Sequence, residues 1–390
     1  MTIEHAIDVL AGNYGIPGST ADWTDIADTM KQIVLVNLAN YVSPTVYFEV
    51  NWASTAANAQ ARLYNVTDGA VVAGSAVSGS SLNRVRSGAI TLPAGDKEYK
   101  IQVINPGLSI SDLNNIKIIV VDSYGSLTTL QHQIEIVLPV SHTSTTYIDV
   151  YASGYYNWDN IKFDGSVTIY YEAVLYCAKA KAVYSQLVDS AGVAVAGSEV
   201  TVTATTPTRI RSSAITLTAG VDYKPQIKTP LGNEMRITAA KIIIVQTGTP
   251  ITKTQVIKRV GYSQSSSFTS AQRVYCAILY TQANFPTLTI YFESTLKVGD
   301  VNDIANADLY DVTGAASVVG SPISHTGDLI ATRTRSAAIS LTNAREYDGR
   351  LWKGGFGVGS AYGFTFFVIF DCTIVAVAAI LRRNLVGVGL

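Results

Sequence analysis

The stretch "RVRSGAITLPAG", Arg84 to Gly95, returns as "RIRSSAITLTAG" from Arg209 and as "RTRSAAISLTNA" from Arg333, with starts 125 and 124 residues apart. Two arginines flanking one residue, a pair of small residues and an alternating apolar tail are thus written three times. In an extended chain Arg84 and Arg86 point one way and Val85 the other. Continued without a break, that alternation puts Ile90 and Leu92 on the arginine face, which cannot serve solvent and core together. The phase is therefore expected to slip at Ser87-Gly88, Ser212-Ser213 and Ser336-Ala337, through a bulge or bend that returns the tail to the core. Arg84, Arg86, Arg209, Arg211, Arg333 and Arg335 are then left on an outer or edge face near a corner. Glu49, Glu172 and Glu293, read as the one acid kept in every repeat, are their expected partners in structural ion pairs, with subunit contact as the second role.

Other landmarks keep the same step. "TVYFEV" at Thr45, "TIYYEA" at Thr168 and "TIYFES" at Thr289 each place an aromatic pair before the glutamate. Turns close at Gly69, Gly192 and Gly314, and "GS" recurs at Ser75, Ser198 and Ser321, 123 residues apart both times. Solenoid units run to about 20–50 residues, so this period marks a duplicated domain of ordinary size. Within it, segments rich in Val, Ile, Thr and Tyr alternate apolar and polar between Gly, Ser, Asn and Asp turns, the pattern of strands. The fold class expected is all-β: three tandem antiparallel β-sandwiches of jelly-roll type over 1–130, 131–254 and 255–390, with an immunoglobulin-like sandwich as alternative. One helix is expected, over Ala21 to Gln32, where Trp23, Ile26 and Met30 share a face.

Composition narrows the function. Apolar residues make up 48% and charged residues 15%, against about a quarter charged in an average domain. A net charge of -1 argues against a general hold on nucleic acid. Cys177, Cys276 and Cys372 sit at non-equivalent repeat positions and are expected to be buried free thiols. "MTIEHAIDVL" lacks the basic region and long apolar core of a secretory signal. "FTFFVIFDCTIVAVAAIL", Phe364 to Leu381, is long and apolar enough to suggest a membrane span. It holds Asp371, however, and its first half aligns with "IKIIVVDS" and "AKIIIVQT", so a core strand without membrane insertion is expected.

The search for chemistry finds little. His5, His132, His142 and His325 show no metal-ligand spacing, and neither a nucleophile elbow nor a phosphate-cradling loop is written. No catalytic residue, metal or cofactor is expected, and the chain is read as non-enzymatic. Asp300, Asp303, Asp308 and Asp311 are read as a solvated loop, with calcium binding as the weaker alternative. "NVT" at Asn65 matches a glycosylation acceptor. "YASGYYNWDN", Tyr151 to Asn160, and "ILYTQANF" in the third repeat are divided between core packing, subunit contact and sugar stacking.

Tandem sandwiches under a Tyr, Ser and Thr-rich skin, with few charges and no catalytic signature, resemble virion structural proteins: spikes, turrets, fibres and decoration proteins built of jelly rolls. The resemblance is architectural, spans the chain and transfers no residue roles. It implies a self-assembling, capsid-associated subunit on the virion surface, whose partners are copies of itself and other virion or filament proteins. The alternative is an extracellular multivalent carbohydrate-binding adhesin or filament subunit that holds host-surface glycans. A strand opens each repeat around Ile7, Ile134 and Ile257, and one further step lands on Ile380. The segment Ile374 to Leu390 is therefore expected to be a fourth copy that pairs with a neighbouring subunit.

Overall fold

The computed structural model describes residues 2–374 apart from 17–21, 28–29, 31, 55–58, 80–83, 108–110, 124–126, 151–152, 231–232, 263, 275 and 328. The expected fourth strand beyond Ile374 lies outside the described residues.

Six antiparallel sheets pair into three sandwiches, drawn from residues 2–123, 129–247 and 253–373. In the first, one sheet has the order Thr2–Ile16, Ser111–Ser123, Thr45–Ser54, Arg84–Arg86. In the other, Thr24–Asp25 and Val34–Val36 pair with Lys97–Ile104, which is followed by Gln60–Asn65 and then by Ala70–Val71 and Val77–Ser78. Along the chain the strands therefore visit the sheets in the sequence first, second, first, second, second, first, second, first. That is the jelly-roll path of two Greek keys. The other two sandwiches repeat it, with Met235–Thr247 and Ala361–Thr373 as the central counterparts of Ser111–Ser123. "FTFFVIFDC" is thus a central core strand, and no described helix is long and apolar enough to cross a membrane. Each sandwich encloses its own apolar cluster, around Phe48 and Tyr99, around Trp158 and Tyr171, and around Phe292, Phe366 and Phe370.

A bulge stands where the alternation has to slip. Ser87 N–H bonds the carbonyl of Phe48 and Ile90 N–H that of Val46, so three steps on one strand oppose two on the other. Ser212 with Ile215, and Ser336 with Ile339, do the same against Tyr171 and Ile169, and against Phe292 and Ile290. Ile90, Ile215 and Ile339 are buried. The repeated serine has a mechanical role. Its hydroxyl accepts the N–H of Phe48, Tyr171 or Phe292 at 2.9, 3.0 and 3.0 Å, replacing the ladder carbonyl that the bulge removes.

Three expectations are corrected. The helix over 21–32 gives way to an edge strand: Thr24 and Asp25 pair with Val103 and Gln102. Ile26 enters the core and Trp23 lies under the Arg62 guanidinium at 4.1 Å, so an available sheet edge overrides the helical spacing. The aspartates of repeat three are not a solvated loop. Asp303–Asp311 is a strand, and Asp303, Asp308 and Asp311 are buried against Lys353, Arg350 and Arg345. Finally, Asn65 is buried, and its side chain donates to the Asp68 carboxylate and accepts the Asp68 backbone N–H, which leaves its amide no room for a glycan. Cys177, Cys276 and Cys372 are buried free thiols.

Candidate functional site

The repeated arginines and glutamates meet on the inner sheet of each sandwich, the sheet that faces its neighbours. Glu49 lies directly across from Arg86, with Arg84 two residues along on the same face. One oxygen, Oε2 of Glu49, accepts from Arg84 Nη1 and from Arg86 Nε, both at 2.7 Å. Oε2 of Glu172 takes Arg209 and Arg211 at 2.7 and 2.8 Å. Oε2 of Glu293 takes Arg333 and Arg335 at 2.5 and 2.7 Å.

The row continues across the sheet. Asp8 is paired with Lys117, Lys117 with Glu49 and Glu49 with Arg86. Charge therefore alternates over four strands. Glu135, Lys241, Glu172 and Arg211 repeat the row in the second sandwich. In the third, Arg259 and Phe367 stand in the first two places. The arginine strands are edges, as expected, but their polar face is not open to solvent. The neighbouring sandwich covers it, so the glutamates and lysines of the rows are buried.

A second acid completes each fork, and it comes from another sandwich. Arg84 Nε bonds Glu346 at 3.0 Å, Arg209 Nε bonds Glu98 at 2.8 Å, and Arg333 Nε bonds Asp222 at 2.7 Å. The first sandwich thus holds the third, the second holds the first, and the third holds the second. Three links close a cycle, and the sandwiches stand in a pseudo-threefold relation. Glu49, Glu172 and Glu293 are therefore not the only acids kept. Glu98, Asp222 and Glu346 were missed because one is aspartate, although each precedes a tyrosine (Tyr99, Tyr223 or Tyr347) at a constant step of 124 residues.

The first strands of the three sandwiches meet at the centre. Lys117 Nζ donates to the carbonyl of Arg259 at 3.1 Å and Lys241 Nζ to that of Asp8 at 2.7 Å. Phe367 occupies the third lysine position, and Arg259 closes this inner cycle by donating to the carbonyl of Glu135 at 2.5 Å. Lys258 reaches Glu4 at 2.5 Å across the third and first sandwiches. Higher on the axis, the His5 and His132 rings lie 5.2 Å apart beside a cavity of about 10 Å³, scarcely room for one water. His5 faces Asp122 and His132 faces Thr254. The first-strand residues that do this work were read from the sequence only as apolar openers.

These surroundings set the charge states. Burial pushes the Glu135 carboxyl up to about 7, against the pull of Lys241 and Arg259. Burial would raise Glu4 too, yet Lys258 and Arg86 overcome it and bring Glu4 down to about 2. Glu49 is likewise held below its ordinary value by Arg84, Arg86 and Lys117, in spite of burial. Burial, then the neighbouring His5, drives His132 well below the usual histidine range. Each repeated glutamate is held by two guanidinium donors on one oxygen, so the arrangement suits anchoring rather than proton transfer.

Among the described residues no cluster of histidine, cysteine and carboxylate is placed to hold a metal. The described aromatics of the two runs turn inward, and Tyr151 lies outside the described residues. Tyr156, Trp158, Tyr280 and Phe285 are buried, with Trp158 stacked on Phe163 and Phe285 on Phe370.

No family model and no curated protein matches the chain. Solved structures similar to it include that of the infectious bursal disease virus Gx strain, at 9% identity and TM-score 0.22, covering 98% of this chain and 82% of that one. The triple jelly roll of an archaeal virus turret is similar at 10% identity and TM-score 0.22, over 96% of this chain and 91% of that one. A recombinant N-glycanase F matches at 10% identity and TM-score 0.25, over 63% of this chain and 96% of that one. At these identities and scores the likenesses carry no argument about the role of this chain.

Proposed function

We propose that the chain is a non-enzymatic structural subunit that self-assembles on the surface of a virus particle, as a spike, turret, fibre or decoration protein. The observation that carries this reading is the closed cycle of half-buried ion pairs between the sandwiches. It spends the repeated charged groups on welding three sandwiches into one block, where an enzyme would hold such groups free around a cleft. A rigid block with a polar, weakly charged skin suits repeated packing in a shell or appendage. The adhesin reading is weakened because Tyr156, Trp158, Tyr280 and Phe285, the aromatics weighed for sugar stacking, are buried in cores.

The test is co-purification. Antibody raised against the recombinant chain should label intact, nuclease-treated particles of the virus that carries this reading frame, at regular surface positions. Soluble monomers absent from particles but retained on a glycan array would reverse the order of the two readings.

A further inference from the structure

Where the third sandwich meets the first, one carboxylate bridges an amine and a carboxamide. Glu4 Oε1 accepts from Lys258 Nζ at 2.5 Å, and Glu4 Oε2 accepts from Asn284 Nδ2 at 2.8 Å. Arg86 also approaches both oxygens, at 3.4 Å, but its short bond of 2.7 Å goes to Glu49. The hydroxyl of Thr2 donates to Asn284 Oδ1 at 3.2 Å. Lys258 and Glu4 are buried, and Lys258 Nζ lies 4.9 Å from the centre of the Phe285 ring and 6.0 Å from that of Phe370. Asn284 ends a short 3-10 turn and stays half-buried.

An amine attacks a carboxamide only in its neutral form, and burial favours that form. Burial holds Lys258 below the ordinary lysine value, although Glu4 pulls it back. The same short contact lets Glu4 take the proton that the amine must lose. Thr2 is placed to hold the oxygen on which negative charge gathers during attack, and half-buried Asn284 gives the leaving nitrogen a way to solvent. At rest the pair is ionic, with Glu4 held at about 2, so the neutral pair is a minor state and the reaction is slow. Loss of ammonia to bulk solvent makes a slow step sufficient. The next interface provides a contrast. Asp371 there accepts from Lys162 and Gln255, each at 2.8 Å. The Lys162 side chain is 25% exposed, however, and its bond to Asp371 raises its pKa, so that amine stays charged. At the remaining interface Asn40 meets Gln131, which is no acid.

We propose that Lys258 and Asn284 become joined by an intramolecular isopeptide bond, with Glu4 as the proton carrier. Glu4 takes a proton from the Lys258 ammonium, and the neutral Nζ bonds to Cγ of Asn284. Glu4 then passes its proton to Nδ2 as the Cγ–Nδ2 bond breaks, and takes one from Nζ in return. The departing ammonia carries that last proton away. An ammonium and a carboxamide thus give a secondary amide and an ammonium ion, and nothing is oxidised or reduced. The bond ties the first strand of the third sandwich to the turn that follows its Ile278–Tyr280 strand.

The experiment is intact-mass spectrometry of the full chain at intervals after folding, followed by peptide mapping. The expected result is a wild-type chain lighter than its sequence by one ammonia, once N-terminal processing is counted. Its map should contain a branched peptide that joins Lys258 to Asn284, while Lys162 and Gln255 stay unjoined. Glu4→Gln and Asn284→Ala should keep their full masses with unchanged circular dichroism. A wild-type chain still at full mass after prolonged incubation in the folded state would overturn the proposal. So would a succinimide at Asn284, which loses the same mass without joining Lys258. A branched peptide that still forms in Glu4→Gln would remove Glu4 as the carrier and overturn the mechanism. The wild-type result needs no variant, so a variant that misfolds leaves the test decisive.

Discussion

Single atoms explain why particular residues recur. Tyr223 and Tyr347 accept the N–H of Thr218 and Thr342 at 2.7 and 2.6 Å, five residues back across a corner. Tyr99 holds the same place, but the residue that matches Thr218 and Thr342 is Pro93, six residues back, which has no N–H to give. Its hydroxyl is buried without a partner among the described residues. Tyr223→Phe and Tyr347→Phe should therefore each lose about 1 kcal/mol of stability by denaturant titration, while Tyr99→Phe is neutral or stabilising. Equal losses at all three positions would show that the hydroxyl bond is not what the corner needs. The forks give a second contrast. Glu172→Gln leaves two guanidiniums facing a neutral group in a buried row and should cost about 3 kcal/mol. Glu98→Gln removes a partner that is a third exposed, and should cost less than about 1 kcal/mol. The ordering of the two variants in one denaturation series is the check.

Among the elements, the bulged strand decides most. The arginine half must face the neighbouring sandwich and the isoleucine half its own core, and the bulge, by absorbing one residue between them, satisfies both. Deleting Ser213 leaves Arg211 and Ile215 three positions apart, on opposite faces of a straight ladder, so Ile215 and Leu217 should stay in the core. The expected cost is no more than about 1 kcal/mol, one rearranged hydrogen bond, read as a nearly unchanged unfolding midpoint. A loss of at least about 3 kcal/mol with exposed apolar surface would mean that the bulge itself, and not the parity, holds the strand. The bulges were legible in advance because the parity conflict is local. The face that the arginines share was not read correctly, because alternation tells inside from outside for one sheet and says nothing about a second sandwich lying against it.

For the whole molecule, the axis makes stability depend on pH. His132 is buried neutral and its folded value is depressed, so the unfolded chain binds the proton more readily. Stability is then intact above the ordinary histidine value near 6.5 and falls as pH drops below it, by about 1.4 kcal/mol per pH unit for one such group. His5, Thr254 and Phe163 surround the ring and none offers a negative charge to it. Strand register gives the third sandwich Val256 at this position, so valine fits the axis. His132→Val should match wild type or fall slightly below it at pH 8, where Thr254 loses its partner, and exceed it at pH 5. Glu135 works in the opposite sense: its folded value is raised to about 7, so its contribution is full below about 4.5 and fades as pH rises to 7. Parallel stability curves for His132→Val and wild type between pH 8 and pH 5 would remove His132 as the cause.

The sequence alone carried the threefold duplication, the all-β sandwiches, the bulge and the pairing of Arg84 and Arg86 with Glu49. Each follows from a period or an alternation, and those express backbone geometry shared by every strand. It also hid half of every fork. Glu98, Asp222 and Glu346 keep the step but change residue type, and a carboxylate beside a corner tyrosine looks like any polar strand end until another sandwich brings an arginine to it. The helix expected over 21–32 and the solvated aspartates of repeat three failed for a related reason, since both were judged by local pattern where a partner strand or a buried cation was decisive. Tertiary structure alone decided that the three domains close on one another in a cycle. Contacts between residues more than 100 positions apart depend on how finished sandwiches pack, and that packing has no period along the chain.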